Sequence, residues 1–192
     1  MVASGARGRV VLVPLAEGFE EIEAVVVIDV LRRAEIEVRV AGLVPGPVRG
    51  AHGITLATDC ALDEVDAGAL AMIVLPGGMP GTTNLKKDTR ILALVRALEG
   101  SGRFVAAICA APTVLAEAGV LAGRRVTAYP SVRAQLTVAE VVDRPRVVRS
   151  GSIITSQGVG TALEFALALV AELAGPARAG ELRAALLVPE SR

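Results

Sequence analysis

Short apolar runs rich in valine and isoleucine alternate with longer helical patterns along this chain, and this alternation constrains the fold more than any other feature. Strands are predicted at residues 9–14, 37–42, 71–75, 104–108, 126–128 and 153–156. Helices are predicted at residues 20–33, 88–100, 112–118, 161–174 and 178–185. Because strands that alternate with helices form a mostly parallel sheet with helices on both faces, the pattern predicts a doubly wound α/β sandwich.

Composition narrows the class of protein further. The chain has 192 residues, 53% of them apolar, and no linker or repeat, so residues 1–192 are predicted to form a single domain. Its 20 basic and 20 acidic side chains balance, which argues against nucleic acid or an anionic membrane as a partner. The apolar stretches are interrupted by charge and no secretory signal is visible, so we expect a cytoplasmic location and no membrane span.

One of the two cysteines, Cys60 and Cys109, occupies a position typical of a reactive residue. The predicted strand 104–108 ends directly before Cys109, and Pro112 then begins a helix, as in a nucleophile elbow. Such a turn lies outside the carboxyl edge of the sheet, where helix amides favour a thiolate. The alternative is a buried structural cysteine, which is common for this residue type.

A glycine-rich turn, PGGMPG at residues 76–81, follows the predicted strand 71–75. Adjacent glycines at a strand end allow backbone amides to approach a ligand or a developing oxyanion. The turn lacks the Lys-Ser/Thr pair of a P-loop and the spacing of a dinucleotide fingerprint. These absences argue against a phosphate-binding or NAD-binding site. The alternative is that the segment is only a turn, as most glycine-rich turns after strands are.

Three acids, Glu20, Glu21 and Glu23, lie between the first strand and the body of the first helix. A carboxyl group inserted there among apolar neighbours would have a raised pKa and could hydrogen-bond a thiolate as a neutral acid. Periodicity does not choose among the three, because the helix that follows is apolar all round. The alternative is that these acids only complement the helix dipole.

Taken together, these segments resemble the DJ-1/ThiJ/PfpI superfamily, near its small dimeric branch, over essentially the whole chain. The resemblance is carried by residues 10–34 (VVLVPLAEGFEEIEAVVVIDVLRRA), 74–81 (VLPGGMPG), 106–116 (AAICAAPTVLA) and 150–170 (SGSIITSQGVGTALEFALALV). It implies a flavodoxin-like sandwich, a homodimer with Arg32 and Arg33 near its interface, and no metal or cofactor.

The resemblance also implies roles for individual residues. Cys109 matches the reactive cysteine of the family, and Glu23 matches its buried, protonated glutamate. Gly77 and Gly78 match the glycine pair. The amides of Gly78 and Ala110 would then form an anion pocket.

The chain departs from the family pattern beside the cysteine. Tyr129 stands where many relatives carry a histidine, and Ala111 replaces a glycine of the cysteine turn. The single histidine, His52, falls in the hairpin or turn predicted at residues 45–53 and is expected to be an ordinary surface or interface residue. No Cys-His dyad can be assigned, which argues against peptidase chemistry. Tyr129 is retained as a possible pocket side chain.

The resemblance therefore implies a small carbonyl substrate. The thiolate would add to a 2-oxoaldehyde such as methylglyoxal, and Glu23 would move a proton between the two carbonyl carbons. This would be a glyoxalase III-like or deglycase-like activity in carbonyl-stress defence, independent of glutathione and metal. The alternatives are a cysteine-based oxidative-stress sensor or a chaperone without turnover. A cysteine peptidase or amidase ranks third.

Overall fold

The computed structural model describes residues 10–189, which fold into eleven strands and six α-helices. The strands are β1 (Val10–Leu15), β2 (Glu37–Gly42), β3 (Val48–Arg49), β4 (Thr55–Leu56), β5 (Cys60–Ala61), β6 (Leu70–Leu75), β7 (Phe104–Ile108), β8 (Arg125–Val126), β9 (Glu140–Val141), β10 (Val147–Ser150) and β11 (Ile153–Ser156). The helices are α1 (Glu21–Arg33), α2 (Gly81–Lys87), α3 (Thr89–Gly100), α4 (Pro112–Glu117), α5 (Ala162–Ala174) and α6 (Pro176–Ala185).

Seven strands form the main sheet, in the order β10-β11-β7-β6-β1-β2-β5. All neighbouring strands are parallel except β10, which pairs antiparallel with β11. From β1 the chain builds outward to β2, then returns to place β6 on the other side of β1. The strand order therefore reverses between β1 and β6, and in open α/β sheets such a point leaves a crevice at the carboxyl edge.

Helices cover both faces of the sheet, as predicted, and each face has its own apolar core. Helices α1, α5 and α6 pack on one face, where Leu31 and Phe165 are fully buried. Helices α2, α3 and α4 pack on the other, around Leu85, Ile91 and Leu115. The flavodoxin-like α/β fold is thus confirmed.

Most predicted elements are found within one or two residues of their expected bounds, but one strand is misplaced. The segment predicted as a sheet strand at residues 126–128 contributes only β8, which pairs with β9 in a separate two-stranded sheet. Its buried valine packs in the core without joining the main sheet. Residue 9, the expected start of the first strand, lies outside the described residues.

The hairpin predicted at residues 45–53 is present as β3 and β4, joined by the turn that carries His52. This turn packs on the beginning of α1, where the amide of Ala51 donates a hydrogen bond to the Phe19 carbonyl (2.8 Å). Within residues 10–189, none of the helices has the length and apolar character needed to cross a membrane.

Candidate active site

Three loops meet at the carboxyl edge of the sheet, at the point where the strand order reverses. The loop after β1 leads into α1, whose first turn carries Glu23. The loop after β6 carries Gly77 and Gly78, and Cys109 follows β7. Because β1, β6 and β7 are adjacent and parallel, their ends lie side by side. The fold therefore brings together the residues singled out in the sequence.

Cys109 occupies the tight turn between β7 and α4. Its φ angle of 63° lies in the left-handed region, which is uncommon for a residue with a side chain. The backbone is held on both sides: the Cys109 amide donates to the Ser156 carbonyl (3.0 Å), and the Tyr129 amide donates to the Cys109 carbonyl (2.9 Å). Surroundings that hold an unfavourable conformation in this way are typical of functional turns. The strand, turn and helix predicted around Cys109 are all present.

Glu23 lies two residues into α1 and is fully buried. Its Oε2 atom accepts a hydrogen bond from the Gly77 amide (2.8 Å), whereas Oε1 has no hydrogen-bond partner among residues 10–189. Burial raises the pKa of Glu23 from 4.5 to about 7, against hydrogen bonds from Gly77 and Cys109 that lower it. The charge of nearby Glu20 raises it further. Near neutral pH this acid can therefore both give and take a proton.

Gly77 lies between the thiol and the carboxyl group. A Cβ atom placed on Gly77 would be 2.7 Å from Glu23 Oε2 and 3.2 Å from Cys109 Sγ, so both side chains border the same small space. Gly78 has a φ angle of 89°, and a Cβ there would collide with the backbone of Glu20. Both positions therefore require glycine, which explains the pair in the sequence.

The backbone amides of Ala110 and Gly78 lie close to the Cys109 thiol, and both lower its pKa. Burial, followed by the charge and hydrogen bond of Glu23, outweighs them and raises the pKa of Cys109 to about 12. The amides therefore act in the expected direction, towards the thiolate, but burial of the thiol and the adjacent Glu23 carboxylate outweigh them.

The thiol and the carboxyl group consequently behave as one pair. Part of the rise in the Cys109 pKa comes from the negative charge on Glu23, and that part disappears when Glu23 carries a proton. A thiol beside a carboxylate and a thiolate beside a neutral acid hold the same number of protons. Moving one proton from Cys109 to Glu23 produces the nucleophile without releasing a proton to water.

Tyr129 lies at the open side of the Cys109 pocket and is 49% exposed. A Cβ placed on Gly158 would be 3.3 Å from Tyr129 Cδ2 and 3.9 Å from Cys109 Sγ, so the aromatic ring and the sulfur flank the same glycine. Ala111 is fully buried beneath the turn. The structure thus places Tyr129 and Gly158 beside the cysteine turn, and a role for Tyr129 in the pocket stays a prediction.

The remaining predicted residues lie away from the sulfur. Arg32 pairs with Asp59 and Arg33 pairs with Asp29 on the exposed side of α1. His52 is exposed on the hairpin turn, where it contacts the acids at the start of α1. Of the three acids Glu20, Glu21 and Glu23, only Glu23 faces the thiol.

A pH-dependent stability follows from the burial of Glu23. Its pKa in the folded chain is above its ordinary value, so the folded state holds the proton more tightly, and this stabilisation is lost as the pH rises through about 7. Between pH 5 and pH 8 the free energy of unfolding should fall by about 2 kcal/mol relative to the Glu23→Gln variant. Urea unfolding of both proteins across this range measures the difference. Parallel curves for the two proteins would contradict the raised pKa.

Similarity to known proteins covers most of this chain. The model of the DJ-1/PfpI family matches residues 9–172. Protein dj-1beta of Drosophila melanogaster is 44% identical over 179 residues, which cover 92% of this chain and 96% of that protein. The glutathione-independent glyoxalase DJR-1.2 of Caenorhabditis elegans is 39% identical over 178 residues, covering 92% and 94%.

Solved structures agree with the sequence comparison. The crystal structure of Drosophila melanogaster DJ-1beta has a TM-score of 0.91 at 43% identity and covers 95% of this chain and 99% of that chain. The structure of oxidized Toxoplasma gondii DJ-1 has a TM-score of 0.87 at 37% identity, covering 94% and 98%. Sequence and fold are therefore similar to these proteins over nearly the full length.

Proposed function

This chain belongs to the DJ-1/PfpI family, and from that premise we propose that it converts 2-oxoaldehydes such as methylglyoxal into 2-hydroxy acids. One observation carries the proposal: the Cys109 thiol and the buried Glu23 carboxyl group border the same space at Gly77. A nucleophile and an acid-base group side by side are the two parts that this reaction needs. The C. elegans relative named as a glutathione-independent glyoxalase supports the substrate class.

The first step is addition of the sulfur to the aldehyde. The Cys109 proton passes to Glu23, and Sγ then forms a bond to the aldehyde carbon of methylglyoxal, whose C=O electron pair moves onto oxygen. The amides of Gly78 and Ala110, which already face the sulfur, would stabilise this oxyanion. Glu23 then donates its proton to the oxygen, leaving a hemithioacetal and a carboxylate.

The second step moves a proton between carbons. The Glu23 carboxylate removes the proton from the former aldehyde carbon, and the electron pair shifts to form an enediolate. Glu23 returns the proton to the neighbouring carbon, and the hydroxyl proton on the first carbon moves to the oxygen of the second. The neighbouring carbon is thereby reduced by two electrons while the first is oxidised by two. The product is a thioester of Cys109, and water hydrolyses it to lactate and the free thiol. Overall, methylglyoxal and water give lactate and one proton, with no external oxidant or reductant.

The test is formation of lactate from methylglyoxal by the purified chain, without glutathione and in the presence of a metal chelator. We expect turnover under these conditions, because the proposed steps use only Cys109, Glu23 and backbone amides. A Cys60→Ser variant is the matched control, since Cys60 lies on edge strand β5, four positions from β7 in the sheet order. It should have the activity of the unmodified chain. Absence of lactate would reject the proposal.

We propose oxidative sensing by the same sulfur as the second candidate function. The structure of a relative described as oxidized, that of Toxoplasma gondii DJ-1, favours it. Donors that face Sγ, namely the Gly78 and Ala110 amides and a protonated Glu23, would also hydrogen-bond a sulfinate. Selective addition of two oxygens to Cys109 by peroxide, in a chain that forms no lactate, would favour the sensor over the enzyme.

We also propose that the chain forms a homodimer, as the family resemblance implies. Ile22 and Val25 lie one turn apart on α1 and are 51% and 42% exposed, and Ile54 on the adjoining hairpin is 57% exposed. Neighbouring exposed apolar side chains of this kind are typical of an interface between subunits. A cytoplasmic location stays a prediction from the sequence.

A further inference from the structure

Outside the Cys109 pocket, Glu20, Glu21 and His52 form a second cluster where the turn between β3 and β4 packs on the start of α1. His52 Nδ1 is 3.0 Å from Glu21 Oε2 and 3.4 Å from Glu20 Oε2, and the three potential ligand atoms lie within 4.8 Å of one another. We propose that this cluster binds a divalent transition-metal ion such as Zn²⁺ through two carboxylates and one imidazole.

The spacing of the donor atoms suits a small ion. Zinc binds histidine nitrogen and carboxylate oxygen at about 2.0–2.1 Å, so two ligands at tetrahedral positions are about 3.3 Å apart. The distances from His52 Nδ1 to the two carboxylates, 3.0 and 3.4 Å, are close to this value. The two carboxylate oxygens lie within 4.8 Å of each other, so a small side-chain movement would complete the set. Three protein ligands would leave one position for water, and the ion would take the place of the contact between the His52 ring and Glu21.

Glu21 is held in place by the hairpin. Its Oε1 atom accepts hydrogen bonds from the amides of His52 (2.7 Å) and Ile54 (3.3 Å), which leaves Oε2 directed at the imidazole ring. Any side chain at position 50 would collide with this carboxyl group, so Gly50 provides the space that it occupies. Hydrogen bonds to the second oxygen of a carboxylate are the usual way in which proteins orient a metal ligand.

Glu20 provides an independent reason to expect a cation. The residue is only 8% exposed, yet within residues 10–189 its carboxylate accepts no hydrogen bond, and its ion-pair contact is with the His52 ring. A buried carboxylate is costly unless a charge or hydrogen-bond donors compensate it. In the isolated subunit the His52 side chain is 70% exposed, so an ion can enter the cluster from solvent before two subunits associate.

The cluster also touches the wall of the Cys109 pocket. The Glu20 amide donates a hydrogen bond to the Gly77 carbonyl (2.9 Å), and the Gly77 amide in turn binds Glu23. An ion on Glu20 would therefore brace the backbone that supports the active-site glycine. The proposed metal has no part in the reaction described above, so either proposal can fail without the other.

Zinc titration of a chain without thiols tests the site. In a Cys60→Ser, Cys109→Ala background no sulfur can bind the metal, and we expect one Zn²⁺ per chain by calorimetry with a competing chelator. Adding His52→Gln or Glu20→Gln should weaken zinc binding at least tenfold, because each removes a ligand. Adding Glu17→Gln should leave it unchanged, since Glu17 is an exposed acid on the same loop.

X-ray absorption of the zinc-loaded background protein provides a second readout that does not depend on substitution. The expected spectrum shows oxygen and nitrogen neighbours with the outer-shell scattering of a single imidazole. Three results would overturn the proposal: no saturable zinc binding, equal affinity in the His52→Gln variant, or a zinc shell without imidazole.

Discussion

Replacing Cys109 with alanine should lower the rate of lactate formation from methylglyoxal at least about 10³-fold, because no other group can form the thioester. The methyl side chain of alanine fits the same turn, and the backbone hydrogen bonds of residue 109 to Ser156 and Tyr129 do not involve the sulfur. We therefore expect the variant to fold normally and to have a lower kcat. Lactate assayed at saturating methylglyoxal measures it.

The Cys60→Ser variant controls for nonspecific thiol chemistry. Cys60 has a raised pKa, chiefly through burial, and the acids that raise it further, Glu64 and Asp59, are exposed, unlike Glu23. If Cys109→Ala keeps the turnover of the original chain while Cys60→Ser loses it, the wrong sulfur has been assigned.

The second large effect is expected from Glu23→Gln, which should lower kcat by about 10²–10⁴-fold. Glutamine has nearly the same shape, and its side-chain oxygen can still accept the Gly77 hydrogen bond. It cannot take a proton from the aldehyde carbon or give one to the oxyanion. The change therefore removes proton transfer but preserves packing. Measurements of kcat and of urea unfolding on the same variant distinguish a loss of proton transfer from a loss of stability.

Glu17→Gln is the matched control for this variant, because it makes the same chemical change at an exposed position. Its kcat should equal that of the unmodified chain. Full activity in Glu23→Gln would show that another base moves the proton, and the proposed mechanism would then be wrong.

The elements and the main site residues could be predicted because each depends on local pattern. An apolar strand that ends directly before Cys109, a proline three residues later and a glycine pair after another strand are all visible in the sequence. The carboxyl ends of parallel strands share one edge, so these residues were expected to meet. Glu23 is identified as the buried acid by family resemblance, because the hydrophobic periodicity of the helix does not distinguish it from Glu20 and Glu21.

Other features depend on tertiary contacts that local pattern does not contain. The pKa of Cys109 has a net rise because the fold buries the thiol beside an ionisable acid, whereas the sequence shows only the helix that follows. Gly158 reaches the pocket because β11 lies next to β7, which places the residues after Ser156 beside the cysteine turn. The sequence shows only that Gly158 follows a predicted strand. The strand order is needed to show that this strand ends beside the cysteine turn.

Carbon-13 NMR of methylglyoxal labelled at the aldehyde carbon tests the central claim most directly. The Glu23→Gln chain is used after a long incubation, in which buffer base can take the Cys109 proton and allow slow addition, whereas no group moves the proton between the two carbons of the adduct. We predict one protein-bound hemithioacetal carbon per chain, which remains when Cys60→Ser is added and disappears when Cys109→Ala is added. A bound carbon that survives the loss of Cys109, or no bound carbon at saturating methylglyoxal, would contradict the proposal that this sulfur forms the covalent intermediate.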